Sequence, residues 1–147
     1  MHDRGTYFVP TLYGFSVGLT PDSTPEERAL HPRIEMLLKS GRQAVATARR
    51  LGVPVVAGTD TGYEEKEPTV IDEIMQLASA GLSNLEAIRS ATSLSAECLE
   101  ISSAKGALKP GWDADLVAYK SNPLKDLAVL REPILVINGG KVFLRKE

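Results

Sequence analysis

From Val53 to Ala57 the chain is apolar at every position, and the turn-forming run Gly58-Thr59-Asp60-Thr61-Gly62 follows. An apolar run without alternation suits a strand buried on both faces, as in a parallel sheet covered by helices. Asp60 then stands at the C-terminal end of that strand, the edge where α/β folds collect ligands and catalytic groups on a rigid support. An aspartate after a strand also serves as a helix cap or turn former, and the pentapeptide alone does not separate those roles from catalysis.

The elements before this run are read the same way. His2-Asp3-Arg4-Gly5 has the pattern of a polar helix end with a glycine cap, which suggests a chain entered midway, and Tyr7 to Leu12 reads as a strand. Gly14 to Asp22 is expected to be a loop, with Tyr13 and Phe15 as lid or packing residues. Thr24-Pro25-Glu26-Glu27 combines a capping threonine, proline at the first helical position and glutamate three residues after the cap, so a helix starts there. His31-Pro32 is expected to interrupt it, because the residue before proline disfavours helical backbone. The stripe Ile34, Leu37, Leu38, Val45 and Ala48 resumes the helix to Leu51, with Gly52 as its cap. Strand, loop, helix and strand make a βαβ unit, for which a right-handed crossover is the default.

Beyond Asp60 the repeat stops. An acidic loop, Tyr63-Glu64-Glu65-Lys66-Glu67, leads to a helix marked by Ile71, Ile74, Met75 and Ala78 and ending near Gly81. Ser83-Asn84-Leu85-Glu86 is a capping box opening another helix, and a short one is expected at Ser95 to Leu99. No strand is expected between Tyr63 and Lys109. From Gly106 the pattern changes to short strands at 114–119, 134–137 and 141–144, the last two joined by Asn138-Gly139-Gly140, a strong hairpin signal. A boundary near Lys105 to Pro110 divides residues 1–105 from a β module at 106–147, which has too few strands to bury both faces alone.

The 147 residues allow one domain with a real core or a piece of something larger, and they are too few for a complete (β/α)₈ barrel of about 250 residues. A formal charge of −2 with scattered Lys and Arg gives no footprint for nucleic acid or anionic membrane. No apolar run approaches the roughly 18 residues that span a bilayer, and the first residues are not a signal peptide. Cys98 is the single cysteine, so no internal disulfide forms, which agrees with a reducing, cytoplasmic setting.

The order of landmarks resembles the C-terminal portion of the metal-dependent amidohydrolase superfamily, in its imidazolonepropionase-like and Xaa-Pro dipeptidase (prolidase) branch. The resemblance rests on the Val-Pro-Thr strand, Gly58-Thr59-Asp60, Ala91-Thr92, Gly106 to Val117 with its Gly-Trp-Asp-Ala-Asp-Leu-Val core, Asn122-Pro123-Leu124 and Val136 to Val142. It implies an α/β fold: the last two strands and helices of a (β/α)₈ TIM barrel plus part of a small urease-like composite β-sandwich. It also implies that Asp60 ends the eighth strand as a metal ligand and catalytic residue, taking a proton from water on one or two metals, usually zinc. A metal lowers the pKa of bound water towards about 7. A carboxylate in reach then removes the remaining proton and passes it to the leaving nitrogen. The substrate class implied is a cyclic amide, an N-acyl amino acid or a dipeptide.

The family's other ligands, a His-x-His pair, a carboxylated lysine and two single histidines, have no counterpart here. His2 and His31 are the only histidines, and neither matches a ligand position. One carboxylate cannot hold a catalytic zinc, which takes about three protein ligands. The chain alone is therefore expected to be inactive and to bind zinc weakly or not at all. Its unpaired strand edges are expected to drive association with identical chains. The alternatives are a non-catalytic self-associating module and one half of a split hydrolase completed by a second polypeptide. Among weaker candidates, Tyr13, Tyr63 and Glu64 to Glu67 lie on loops at the active-site end. Trp112 is expected to anchor packing in the β module, Asp113 and Asp115 to share one solvated strand face, and Cys98 to be buried and inert.

Overall fold

Residues 2–16, 24–60 and 69–146 are described by the structure, a computed structural model. A short 3₁₀ turn at His2–Arg4 closes on Gly5, whose φ of 61° is the left-handed conformation expected of a glycine cap. The next segment is extended and pairs in parallel with the Val53–Ala57 run at Phe8 and Val55. There the Phe8 N–H donates to the Pro54 carbonyl and the Val56 N–H to the Phe8 carbonyl, each at 2.9 Å. The strand expected from Tyr7 to Leu12 reduces to this one bridge at Phe8. Thr11 turns the chain at a φ of 47°, and Leu12 begins helix α1 (Leu12–Ser16) where a loop was expected from Gly14. The rest of that expected loop, residues 17–23, lies outside the described residues.

Helix α2 (Pro25–Arg50) runs unbroken through Pro32, contrary to the expected interruption. Pro32 removes one ladder donor near the helix start, and both it and Arg28 four residues earlier are exposed, so water can serve the position. Downstream, Leu38, Val45 and Ala48 are buried and fix the helix as one rod. Its end is a Schellman motif: the Val53 N–H reaches the Ala48 carbonyl, the Gly52 N–H reaches that of Arg49, and Gly52 has a φ of 67°.

Helix α3 (Val70–Ser79) packs beside α1, and helices α4 (Asn84–Ser90) and α5 (Ser93–Cys98) follow with no strand among the described residues between them. The α4 capping box forms as its sequence requires, with the Ser83 N–H and the Glu86 backbone N–H satisfied reciprocally. Leu12, Val45 and Leu77 are fully buried at the centre of one core with Val53, Val55 and Ile74. Complete burial of such a leucine contributes about 2 kcal/mol.

Strands β1 (Leu116–Tyr119), β2 (Pro133–Asn138) and β3 (Lys141–Arg145) form an antiparallel sheet in sequence order. Asn138 pairs with Lys141 across the two-residue turn Gly139-Gly140, whose φ angles of 54° and 77° are those of a type I′ hairpin. A 3₁₀ turn at Leu127–Arg131 leaves the sheet and inserts Leu127 and Leu130 into the helical core, while Arg131 pairs with Asp72 of α3. Asp113 and Asp115 do not merely face solvent: both hold Lys105, and Asp115 also accepts the Gly139 N–H at 2.6 Å, clamping the hairpin to the chain that enters the sheet. Among the described residues no helix is long and apolar enough to cross a membrane.

Candidate functional site

Two extended segments run in parallel and end at neighbouring left-handed residues, Thr11 with a φ of 47° and Asp60 with a φ of 52°. Left-handed backbone is uncommon outside glycine, is tolerated best by Asn and Asp, and is an outlier for a β-branched threonine. Such strain persists where the surroundings over-determine it, and it collects at functional sites. The ends are also pressed together. A Cβ on Gly58 would stand 2.5 Å from Val9 Cγ1 and 3.8 Å from Thr11 Cγ2, and one on Gly14 would stand 3.3 Å from the Thr59 carbonyl oxygen. Glycine at 58 and 14 is what allows this approach. Asp60 itself is exposed at the rim.

The buried acid at this end is Glu73 on α3, which is fully buried. Its Oε1 accepts the Leu12 N–H at 3.0 Å and its Oε2 the Tyr13 N–H at 2.7 Å, satisfying two orphan donors of α1. Burial pushes the Glu73 carboxyl above its ordinary value, and the two N–H donors offset part of that rise. Sequence reasoning missed it, although a signal exists. Glu73 lies on the stripe of Leu77 and Ala80, at helical spacing on the buried face, where an acid needs dedicated donors.

Other candidates separate from Asp60. His31 is half-buried, and its Nε2 is enclosed without a hydrogen-bond partner among the described residues. Cys98 is half-buried rather than buried. Trp112, also half-buried, carries the Lys109 ammonium 4.3 Å from its ring centroid. Tyr13 stands at the site's mouth through its backbone bond to Glu73, while Tyr63 and Glu64 to Glu67 lie outside the described residues. Among the described residues no three His, Cys, Asp or Glu side chains converge to hold a metal ion. The residues in view therefore do not fit a catalytic zinc, which takes about three protein ligands.

The comparisons agree with this architecture. The chain is 34% identical over 155 residues to an uncharacterised protein of Mycobacterium tuberculosis, with 97% of this chain and 38% of that protein covered. It is 29% identical over 147 residues to the ochratoxinase of Aspergillus niger, with 97% of this chain and 30% of that protein covered. Among solved structures it superposes on a Xaa-Pro dipeptidase with bound methionine in the active site, at a TM-score of 0.82 and 30% identity over 98% of this chain and 36% of that one. The chain thus spans between 30% and 38% of the length of these relatives, and its mixed helices and strands match that part of the amidohydrolase barrel fold. With residues 3–143 matching the amidohydrolase family over both the paired strand ends and the β-sheet tail, the chain belongs to that family.

Proposed function

We propose that this chain is the C-terminal part, 1–105 from the barrel and 106–147 from the composite β domain, of a cytoplasmic metal-dependent amidohydrolase. The parent hydrolyses the C–N bond of an amide, a cyclic amide or a dipeptide. Asp60 is the carboxylate this chain contributes, accepting a proton from the attacking water and returning it to the leaving nitrogen. The observation that carries the reading is the placement of Asp60, in left-handed backbone at the end of an extended segment paired in parallel with its neighbour, in a chain that belongs to the amidohydrolase family. Zinc or another divalent ion would acidify the water, and its remaining ligands would come from outside the described residues. Alone, the chain is inactive and binds zinc weakly or not at all.

The test combines metal analysis with an amidase and dipeptidase screen, on the chain alone and mixed with a polypeptide carrying the preceding barrel units. Turnover only in the mixture, abolished by Asp60→Asn, supports the reading. Stoichiometric zinc and Asp60-dependent turnover in the chain alone would overturn its inactivity.

A second reading, a self-associating non-catalytic module, is favoured by exposed apolar surface. Val142 and Phe143 are 59% and 71% exposed on the sheet, and a groove of about 720 Å³ opens beside Phe8, Leu51 and Val53. Light scattering discriminates, because a clean monomer contradicts association through strand edges.

A further inference from the structure

Nothing in the assignment of Asp60 explains why a fully buried acid should stand behind the strand ends, and the geometry of Glu73 gives it a role there. We infer that Glu73 is a positioning residue for the site: its two-oxygen grip on α1 sets where Thr11, Tyr13 and Gly14 lie against Thr59 and Asp60. The inference rests on the reading of Asp60 given above.

Both oxygens are used, one on Leu12 and one on Tyr13. A glutamine or a protonated acid keeps one acceptor and turns a donor towards the second N–H, so only an ionised carboxylate serves both. The grip reaches Asp60 in two short steps. Leu12 follows the strained Thr11, which stands against Gly58, and Tyr13 precedes Gly14, which packs on the Thr59 carbonyl. Five residues of helix cannot hold that position alone. The Leu12 side chain, fully buried and 2.7 Å from where a Gly41 Cβ would be, holds α1 against α2 from the other side.

The charged groups that form bonds next to α3 reach partners other than Glu73. Arg42 of α2 donates to Gln76, Arg131 pairs with Asp72, and Glu86 of α4 is held by Arg49 and Ser83. Among the described residues no cation is bonded to Glu73, so its charge is balanced by the two α1 amides. That makes the position of α1 answer to one proton.

The test is carboxyl and amide NMR on the full chain, titrated from about pH 8 to about pH 4, a range that spans a raised glutamate. The amides of Leu12, Tyr13, Thr59 and Asp60 are expected to move with one shared midpoint, that of the Glu73 carboxyl. In Glu73→Gln that shared step disappears and Tyr13 amide exchange accelerates about tenfold or more, while Leu77 and Ala80 of the helical core keep their protection. Glu73→Asp, with both oxygens retained, restores a common step with a displaced midpoint. A merely structural Glu73 would leave Thr59 and Asp60 unmoved at that midpoint, and that result overturns the inference. The wild-type titration needs no variant, so the inference remains testable if Glu73→Gln does not fold. Zn²⁺ added at fixed pH reads the metal proposal separately: an unmoved Asp60 carboxyl is expected for the chain alone, and its saturation at one equivalent of Zn²⁺ would overturn the weak-zinc reading and not the coupling to Glu73.

Discussion

The Ala57 N–H donates to the carbonyl of Ser90 at 3.0 Å, so the segment that delivers Asp60 is tied to the C-terminal end of α4. Ser90 is fully buried, its hydroxyl donates to the Ala87 carbonyl, and its own carbonyl also accepts the Ser95 hydroxyl at 2.6 Å. Ser95→Ala removes one of these bonds and should cost about 1 kcal/mol. Ser90→Val adds volume where none is free and removes the hydroxyl, so about 1–3 kcal/mol is expected. Urea unfolding ranks the two, and a neutral Ser90→Val would show that the end of α4 does not brace the strand.

Gly106 faces a harder constraint. Its φ is 91°, and a Cβ there would stand 2.6 Å from Ala96 Cβ and 2.9 Å from Ser93 Cα. Neither neighbour can rotate away, one being a methyl fixed on a helix and the other backbone. Gly106→Ala should lose about 3 kcal/mol from strain and overpacking together. Gly81→Ala is the control, with a φ of 107° and nothing within 4 Å of the added methyl. It should show the backbone penalty alone, about 1–2 kcal/mol.

Two carboxyls give stability opposite slopes in adjoining pH windows. Hydrogen bonds from the Ser83 hydroxyl first, and then from Arg49 and the Ser83 amide, lower Glu86 from 4.5 to about 2. A depressed carboxyl contributes stability that is full above its unfolded value and lost as pH falls from 4.5 towards about 2. Glu73 is raised by burial, so its contribution runs the other way. It is full below the unfolded value and lost as pH rises through the folded one. Glu86→Gln should therefore flatten the acid limb, and Glu73→Gln the limb above it. The Glu86 side chain is 39% exposed, so solvent screening holds its effect to about 1 kcal/mol. Urea midpoints at about pH 3, 5 and 7 measure both, and parallel curves for Glu86→Gln and wild type would refute the capping-box contribution.

What the sequence revealed and what it hid divide along physical lines. Local signals held: the cap at Gly52, the box at Ser83 and Glu86, and the hairpin at Gly139-Gly140 are each decided by a few adjacent residues. The expected break at Pro32 failed, since local proline chemistry was outweighed by the burial of Leu38, Val45 and Ala48 further along the same helix. Leu12 turned from strand to helix because Glu73, 61 residues away, caps it. Asp60 was visible as a strand-end acid, whereas the strain at Thr11 and the contact of Gly14 with Thr59 exist only once the two segments meet.

That strain offers a test of whether Asp60 and Thr11 serve the site or the fold. Asparagine tolerates left-handed backbone better than a β-branched residue, so Thr11→Asn should raise stability by about 1 kcal/mol. Asp60→Asn keeps the backbone preference and removes the charge. Because Asp60 is exposed at the rim, stability should stay within about 0.5 kcal/mol of wild type. The contrast matters because a helix-capping or turn-fixing aspartate replaced by alanine costs about 1 kcal/mol or more. Asp60→Ala and Asp60→Asn compared by urea unfolding separate the roles. Near-equality of the alanine and asparagine variants, after subtraction of the left-handed penalty read from Gly81→Ala, is expected for a residue kept for chemistry. A further loss of more than about 1 kcal/mol in the alanine variant alone would return Asp60 to the role of a cap.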